Sequence, residues 1–493
     1  MSDDTSNKSN NTTGNLGFIA LVSIVLSSMI GGGIDSLPQN AAQSSAAGPI
    51  LVAWLIAGFG VYFIANSFRI LSDIRPDLKA GIYMYAHEGF GSFIGFIVAW
   101  GYWIMTMFGN IAYIIILMDG IDYFFPGKFT GGNNLNSIIC GSVLIWGFYH
   151  LVLKGTQVTG KINIIGTAMR MIPLFLFILI LAFVLNYTQF TTDFWGNNAL
   201  PASDDLGSLS KQIMAPMIVA LWCFVGVEGA VVLSGRAKRK SDVGKATIIG
   251  FILALVMYIL ISVLPFGVAD QQTLAKVPDP STAGVLKMVM GETGVILMNI
   301  GLIVSVLVSW LSWTMLCAEI PMVAAENGTF PKIFARKNQN AAADVSLLVS
   351  SIIMQIILIL IYFAHNAWNT MYSITTVMVL PAYFSTTLFL FKLCKNNEYS
   401  KYAKDGKKAA LFSGIIGSLF CLFMLYAGGL NYIAMMPLIL TLGLPLFIWS
   451  GKEQAALGDP EPMFTKKEKL YLSILLLLDV LAIYSVYSGI VKL

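Results

Sequence analysis

The sequence predicts an all-α polytopic membrane protein whose first and sixth spans are discontinuous. Three observations predict it: the composition, a series of span-length apolar runs, and glycines that interrupt two of those runs. Hydrophobic residues make up 57% of the 493 residues and charged residues only 11%, and the mean hydropathy is +0.76. Soluble globular chains are about half apolar and about a quarter charged, so this composition excludes a soluble globule.

Apolar runs of about 20 residues, the length that crosses a bilayer core, recur from Leu16 to the C-terminus. They predict 12 to 13 spans. The centres of the thirteen apolar runs lie near Ile30, Ile64, Met105, Leu144, Phe175, Cys223, Val256, Leu307, Ile356, Leu380, Ser418, Ile439 and Leu478. Residues 1–15 are polar and have no apolar core. They predict a disordered cytoplasmic tail rather than a cleavable signal sequence.

Span 1 is interrupted by three consecutive glycines, Gly31, Gly32 and Gly33. Unpaired backbone groups are costly in hydrocarbon, so an opened helix persists only where it faces protein, water or a ligand. Asp35 and Pro38 follow, and such residues are typical of a restarting helix. The pattern predicts half-helices over Leu16 to Ile30 and Ser36 to about Ala46, around a substrate site. The alternative is a small-residue face for close helix packing.

Span 6 has a similar interruption, in which Gly226 and Gly229 flank the carboxylate of Glu228. Two discontinuous helices five spans apart are typical of transporters built from inverted repeats. We therefore predict a five-plus-five organisation: a first repeat over 16–190 (spans 1–5), a second over 207–395 (spans 6–10), and additional C-terminal spans over 409–493.

Glu228 is a candidate for substrate binding, coupling or gating, because a carboxylate inside a span is costly and usually faces a pathway or partner. The alternative is a structural carboxylate that is hydrogen-bonded to a nearby serine or tyrosine. Trp222, six residues earlier, could stack on a planar or cationic group of a ligand. Ordinary aromatic packing is its alternative.

Lysine and arginine are typical of cytoplasmic loops, and here they cluster in alternate predicted loops, at 69–79, 236–245, 332–337, 392–408 and 452–469. This pattern predicts a multi-pass protein of the cell membrane with a cytoplasmic N-terminus. The alternative is that the basic clusters are nucleic-acid or anionic-lipid patches, but topology explains them without an extra partner. We therefore expect contact with membrane lipid and no nucleic-acid partner.

The three histidines and five cysteines have no metal-ligand spacing, so we expect no metal site, no cofactor and no disulfide framework. No span combines paired carboxylates or a His/Cys cluster. The sequence therefore predicts that the protein is not an enzyme.

Five strings together resemble the basic amino acid/polyamine antiporter family of the amino acid-polyamine-organocation superfamily, closest to its arginine/ornithine antiporter group. They are SMIGGGIDSLPQN (28–40), KAGIYMYA (79–86), FGNIA (108–112), LWCFVGVEG (221–229) and FPKIFAR (330–336). The resemblance extends from Gly14 to the last span. It implies the five-plus-five fold and the exchange of one amino acid for a related metabolite.

The resemblance also implies site residues. The opened backbones of the two broken spans would hold the substrate carboxylate and ammonium, Trp222 would close over the side chain, and Glu228 would be the carboxylate of span 6. The residues assigned to substrate binding are Gly31, Gly32, Gly33, Asp35, Tyr102, Asn110, Trp222, Val225, Gly226 and Trp313. For Tyr102 and Trp313 the alternative is helix packing.

Asp35 departs from the family pattern, in which relatives commonly carry an aromatic or other uncharged residue. Its carboxylate could attract a cationic head group, or it could cap the second half of span 1. Beside a substrate carboxylate it would be repulsive, so either Asp35 favours an amine that lacks a carboxylate, or its side chain points away and recognises the substrate side chain.

The predicted function is therefore an antiporter that imports a cationic amino acid in exchange for a related product, of the arginine/ornithine type. The alternative pairs an amino acid with its decarboxylation product, such as histidine/histamine or arginine/agmatine. A proton-coupled amino acid symporter is the alternative of another class. The expected partners are small-molecule amino acid or amine substrates and, as a further hypothesis, a second copy of the chain in a homodimer.

Overall fold

The computed structural model describes residues 15–196, 206–364, 367–428, 430–457 and 463–491. Over these residues the chain forms helices and turns, with one isolated β-bridge between Leu16 and Ala237. Twelve helices are long and apolar enough to cross a membrane, and a bent pair of shorter helices makes a thirteenth span. The prediction of an all-α polytopic fold is confirmed. The predicted tail lies, except for Asn15, outside the described residues.

Every predicted span centre lies in one of these thirteen spans, and the first, Ile30, lies between the two halves of span 1. Spans 1 to 7 comprise Phe18–Met29 with Gly32–Ala42, Ala47–Ile74, Ser92–Asp122, Leu135–Val152, Thr156–Val184, Leu209–Val232 and Ser241–Gly267. Spans 8 to 13 comprise Glu292–Glu326, Asp344–Phe363, Ile374–Lys395, Lys407–Ala427, Ile433–Ala456 and Lys466–Tyr487.

Short helices connect some of the spans. Two of them matter for the site or for its closure: the loop helix Ser281–Met290, between spans 7 and 8, and the 3-10 turn Ser234–Arg236, after span 6. The others are Gly81–Phe90, Tyr187–Thr192, Gln271–Ala275, Lys332–Ala335 and Tyr399–Lys401.

Span 1 is broken at the glycine triplet, and its two halves meet at an angle of 45°. The first half ends at Met29, one residue earlier than predicted. Helical structure resumes at Gly32 as a 3-10 turn that extends to Ser36, and the α-helix Leu37–Ala42 follows with Pro38 in its first turn. The second half thus begins earlier than the predicted Ser36, because three glycines permit the tighter 3-10 geometry.

Span 6 is broken at Val225 to Glu228, between the helices Met217–Phe224 and Gly229–Val232. Gly226 has a φ of +109°, a conformation that glycine adopts without penalty. A side chain there would also lie 2.5 Å from the carbonyl carbon of Ser28. The two breaks therefore face each other at the centre of the bundle.

Burial separates an inner set of spans from an outer set. In their apolar windows, span 3 is 72% buried, span 6 is 82% buried and span 10 is 78% buried, whereas span 13 is only 17% buried. The inner spans surround the two breaks. The predicted repeat boundaries stay a prediction.

Candidate functional site

A small cavity lies where the two breaks meet, and five spans line it. Of the predicted site residues, three belong to its wall: Trp222, Val225 and Trp313. The other wall residues are Ser28, Met29, Gly109, Tyr113 and Thr375. Sequence reasoning missed these five. Gly109 and Tyr113 are four residues apart on span 3, so helical spacing from the FGNIA string could have identified them.

Trp222 occupies the space beside Gly33. A Cβ atom added at Gly33 would lie 1.5 Å from Cζ3 of Trp222 and 2.2 Å from its Cη2. Gly31 similarly lies against Tyr113, whose Oη would be 2.5 Å from an added Cβ atom. The triplet therefore lets two aromatic rings approach the backbone of span 1, and both rings border the cavity.

Hydrogen bonds join the two breaks to each other and to span 8. The Ser28 hydroxyl donates to the carbonyl of Gly226 at 2.8 Å. Trp313 Nε1 donates to the carbonyl of Ser28 at 2.9 Å. Trp313 also lies beside Tyr102, with ring centroids 6.3 Å apart.

Glu228 is fully buried and accepts three hydrogen bonds from three different spans. Tyr102 of span 3 donates to Oε1 at 2.8 Å, Tyr383 of span 10 donates to Oε2 at 2.6 Å, and the Gly226 N–H donates to Oε2 at 3.0 Å. Two predicted site residues, Tyr102 and Gly226, are thus brought to this carboxylate. Its position couples the break of span 6 to spans 3 and 10.

Asp35 is also buried, but it faces the loop helix rather than the cavity. Thr282 donates to Asp35 Oδ1 at 2.9 Å, and the Ser281 hydroxyl donates to the carbonyl of Asp35 at 3.0 Å. Oδ2 makes no hydrogen bond among the described residues. The second half of span 1 has no side-chain cap, so the carboxylate ties the break to the loop helix.

Asn110 lies on span 3 next to the wall residue Gly109. Its side chain is fully buried, and its amide nitrogen is 3.5 Å from the sulfur of Met354 on span 9. Of the predicted residues, Asn110 and Asp35 therefore lie behind the cavity wall.

An ion pair links two elements of the bundle on the side where Leu16 lies. Arg236 contacts Glu319 of span 8, with Nη2 3.0 Å from Oε2, and both side chains are largely buried. The adjacent backbone pairs with Leu16, whose N–H donates to the Arg236 carbonyl at 3.0 Å and whose carbonyl accepts from Lys238 at 2.8 Å. The pair therefore ties span 8 to the turn after span 6 and, through Leu16, to the start of span 1.

Glu319→Gln is expected to loosen this contact, because it leaves the Arg236 guanidinium without its anion. Loss of one partner from a buried pair costs about 3–5 kcal/mol. Backbone amides at residues 16–18 and 236–238 should then exchange with deuterium at least roughly tenfold faster. The matched control is Glu292→Gln, which removes an exposed pair with Lys287. Unchanged deuterium exchange at both segments would show that the Arg236–Glu319 pair does not hold them together.

The family model described as amino acid permease matches residues 16–449. A protein of Chlamydia pneumoniae is 50% identical over 479 residues, covering 97% of this chain and 98% of the relative. One from Chlamydia caviae is 51% identical over 470 residues, covering 95% and 96%. One from Chlamydia trachomatis serovar L2 is 50% identical over 477 residues, covering 97% and 98%. All three are named arginine/agmatine antiporter.

Proposed function

This chain belongs to the amino acid permease family, and we propose that it is a cell-membrane antiporter that imports arginine in exchange for agmatine. The sequence-based prediction of an antiporter of the basic amino acid family is confirmed, as is the prediction that the chain is not an enzyme, since the relatives are named antiporters. Their name matches the amino acid/decarboxylation-product alternative rather than arginine/ornithine exchange.

The observation that carries the proposal is about 50% identity to named arginine/agmatine antiporters over nearly the whole of both chains. The geometry fits such a substrate. The N-terminal end of a half-helix attracts a carboxylate, and the carbonyl end attracts an ammonium. Trp222 and Trp313 line the cavity, and aromatic rings are groups on which a guanidinium can stack.

We assign different roles to Asp35 and Glu228, the buried carboxylates at the two helix breaks. The Asp35 carboxyl lies behind the break of span 1, where its negative form favours cationic substrates and most of all the dication agmatine. Glu228 holds spans 3, 6 and 10 in one arrangement, and rearrangement of that network accompanies alternating access. Because the carboxylate belongs to both the site and the scaffold, substrate binding is coupled to movement.

The orientation we propose has the N-terminus in the cytoplasm. It is supported by the clusters of basic residues in alternate loops, of which the cluster at 236–240 adjoins Leu16. The Arg236–Glu319 pair is then the cytoplasmic gate. Outward-facing apolar side chains on spans 5 and 13 fit contact with membrane lipid or with a second copy of the chain.

Counterflow in proteoliposomes tests the exchange. Vesicles are loaded with agmatine, arginine, ornithine, histamine, putrescine or buffer alone, and entry of labelled arginine is followed. Internal agmatine and arginine are expected to accelerate entry strongly over buffer alone. Equal entry into empty vesicles would indicate a uniporter or symporter, and acceleration by ornithine but not by agmatine would contradict the proposed pair.

Charge movement distinguishes the candidate pairs in the same vesicles. Exchange of monovalent arginine for divalent agmatine moves one positive charge outward per cycle, and each charge is worth about 2.3 kcal/mol per 100 mV. An inside-positive potential should therefore accelerate arginine entry against agmatine. Exchange of arginine for ornithine, both monovalent, should not respond to the potential.

A further inference from the structure

Arg170 of span 5 is a buried cation at the break of span 1, and no sequence motif singles it out. Its side chain is fully buried, the only lysine or arginine among the described residues with no exposure. Nη1 donates to the carbonyl of Ile30 and, at 2.7 Å, to the hydroxyl of Ser309 on span 8. Ile30 lies between the wall residue Met29 and the glycine triplet, so the guanidinium lies at the predicted substrate-binding backbone.

The remaining donors of Arg170 are unused. Nε and Nη2 make no hydrogen bond within the described part of the chain. These two nitrogens form one edge of the planar guanidinium, and their parallel N–H groups fit the two oxygens of a carboxylate. Buried polar groups are nearly always paired, and a charged group inside a span usually has a partner or a function. An unpaired fork beside an opened helix therefore needs an anionic partner.

Two carboxylates could be that partner: one from the protein or one from the substrate. Asp35 is the candidate in the protein, because it lies on the same broken span, five residues after Ile30. The two groups do not form an ion pair in the structure, and Asp35 is instead bonded to Thr282. Nη1 is anchored on the carbonyl of Ile30, the residue before Gly31, so the unused Nε and Nη2 also lie close to the break of span 1.

We propose that the Nε and Nη2 edge of Arg170 binds the α-carboxylate of the amino acid substrate and thereby sets the preference for the amino acid over its amine product. This proposal rests on the proposed exchange function and assigns one residue to the recognition of the substrate α-carboxylate. Arginine would gain a bidentate charge-assisted contact, whereas agmatine has no carboxylate and would experience only the repulsion of a nearby cation. Asp35 acts in the opposite sense, since its negative charge favours the amine.

The test measures binding of arginine and of agmatine to the purified carrier, in the wild-type chain and in Arg170→Gln, Arg170→Lys and Asp35→Asn. Arg170→Gln is expected to weaken the binding of arginine by at least roughly tenfold. Its affinity for agmatine should stay within threefold of the wild-type value or increase. Arg170→Lys keeps the charge but not the two parallel N–H groups, so its affinity for arginine should lie between that of the wild-type chain and that of Arg170→Gln. Asp35→Asn should change the arginine-to-agmatine preference in the opposite direction.

A ligand-side measurement keeps the test valid if Arg170→Gln does not fold. Arginine methyl ester, which lacks the charged carboxylate, should bind the wild-type carrier at least roughly tenfold more weakly than arginine. Its affinity should change little in Arg170→Lys. Equal affinity of the ester and arginine for the wild-type carrier would overturn the proposal.

Other outcomes separate the remaining explanations. Equal weakening of arginine and agmatine by Arg170→Gln would mean that the residue only supports span 1, and would overturn the proposal. The proposal would also be overturned if Asp35→Asn changed the arginine-to-agmatine preference in the same direction as Arg170→Gln, because the free edge of the Arg170 guanidinium would then pair with Asp35. Failure of the wild-type carrier to bind arginine, lysine, ornithine or histidine would instead overturn the proposed exchange function itself.

Discussion

Glu228→Gln is expected to reduce exchange roughly a hundredfold while the carrier still reaches the membrane folded. The carboxylate accepts from Tyr102, Tyr383 and the Gly226 N–H. Glutamine keeps the volume but replaces one acceptor oxygen with an NH₂ group. At least one buried donor then loses its acceptor, at a cost of about 1–3 kcal/mol, and the span 6 break loses its link to spans 3 and 10.

Counterflow of labelled arginine measures this effect, with the amount of folded carrier checked by size-exclusion chromatography. Tyr102→Phe and Tyr383→Phe each remove one donor and should each reduce exchange less, by roughly tenfold. Glu292→Gln is the control, because its carboxylate is exposed and distant from the cavity. Exchange at the wild-type rate across the pH range would remove Glu228 from the site. Exchange that persists while net uptake loses its pH dependence would favour the symporter.

Gly33→Ala is expected to weaken substrate binding roughly ten- to hundredfold, because one methyl group cannot coexist with the present position of Trp222. The added Cβ atom would lie 1.5 Å, 2.2 Å and 2.6 Å from three ring carbons of Trp222. The ring must therefore leave the wall of the cavity or span 1 must shift. Overpacking of this kind costs about 1–3 kcal/mol.

Equilibrium binding of arginine to the purified carrier measures the change. The matched control is Gly147→Ala in span 4, where an added Cβ atom has no other atom within 4 Å. Trp222→Leu should also weaken binding, and the double variant Gly33→Ala with Trp222→Leu should recover the stability that the clash removes but not the affinity. Wild-type affinity in Gly33→Ala would show that the contact between Trp222 and Gly33 does not form in the binding state.

The fold could be predicted almost completely from the sequence. Span length and apolar composition depend only on local residues, because each helix satisfies its own backbone hydrogen bonds in a bilayer. The thirteen predicted centres accordingly fall in the thirteen spans of the structure. The two breaks could be predicted for the same reason: glycines at 31–33 and 226 mark where the helix cannot continue unaided.

The site could be predicted only in part. Trp222, Val225 and Trp313 were identified and lie in the cavity wall, whereas five wall residues were missed: Ser28, Met29, Gly109, Tyr113 and Thr375. None of the five is unusual within its own span, since each of these residue types is ordinary in a helix. Their role depends on which face of the helix turns inward, and neighbouring spans determine that.

The sequence by itself determined the membrane class, the spans, the positions of both helix breaks and, by resemblance, the antiporter family. Only the tertiary structure decided the partners of the buried charges: Glu228 with Tyr102 and Tyr383, Glu319 with Arg236, and Arg170 with the carbonyl of Ile30. The physical reason is that helix formation and insertion depend on local composition. The pairing of a buried charge instead depends on groups 83 to 155 residues away, which come together only when the spans pack.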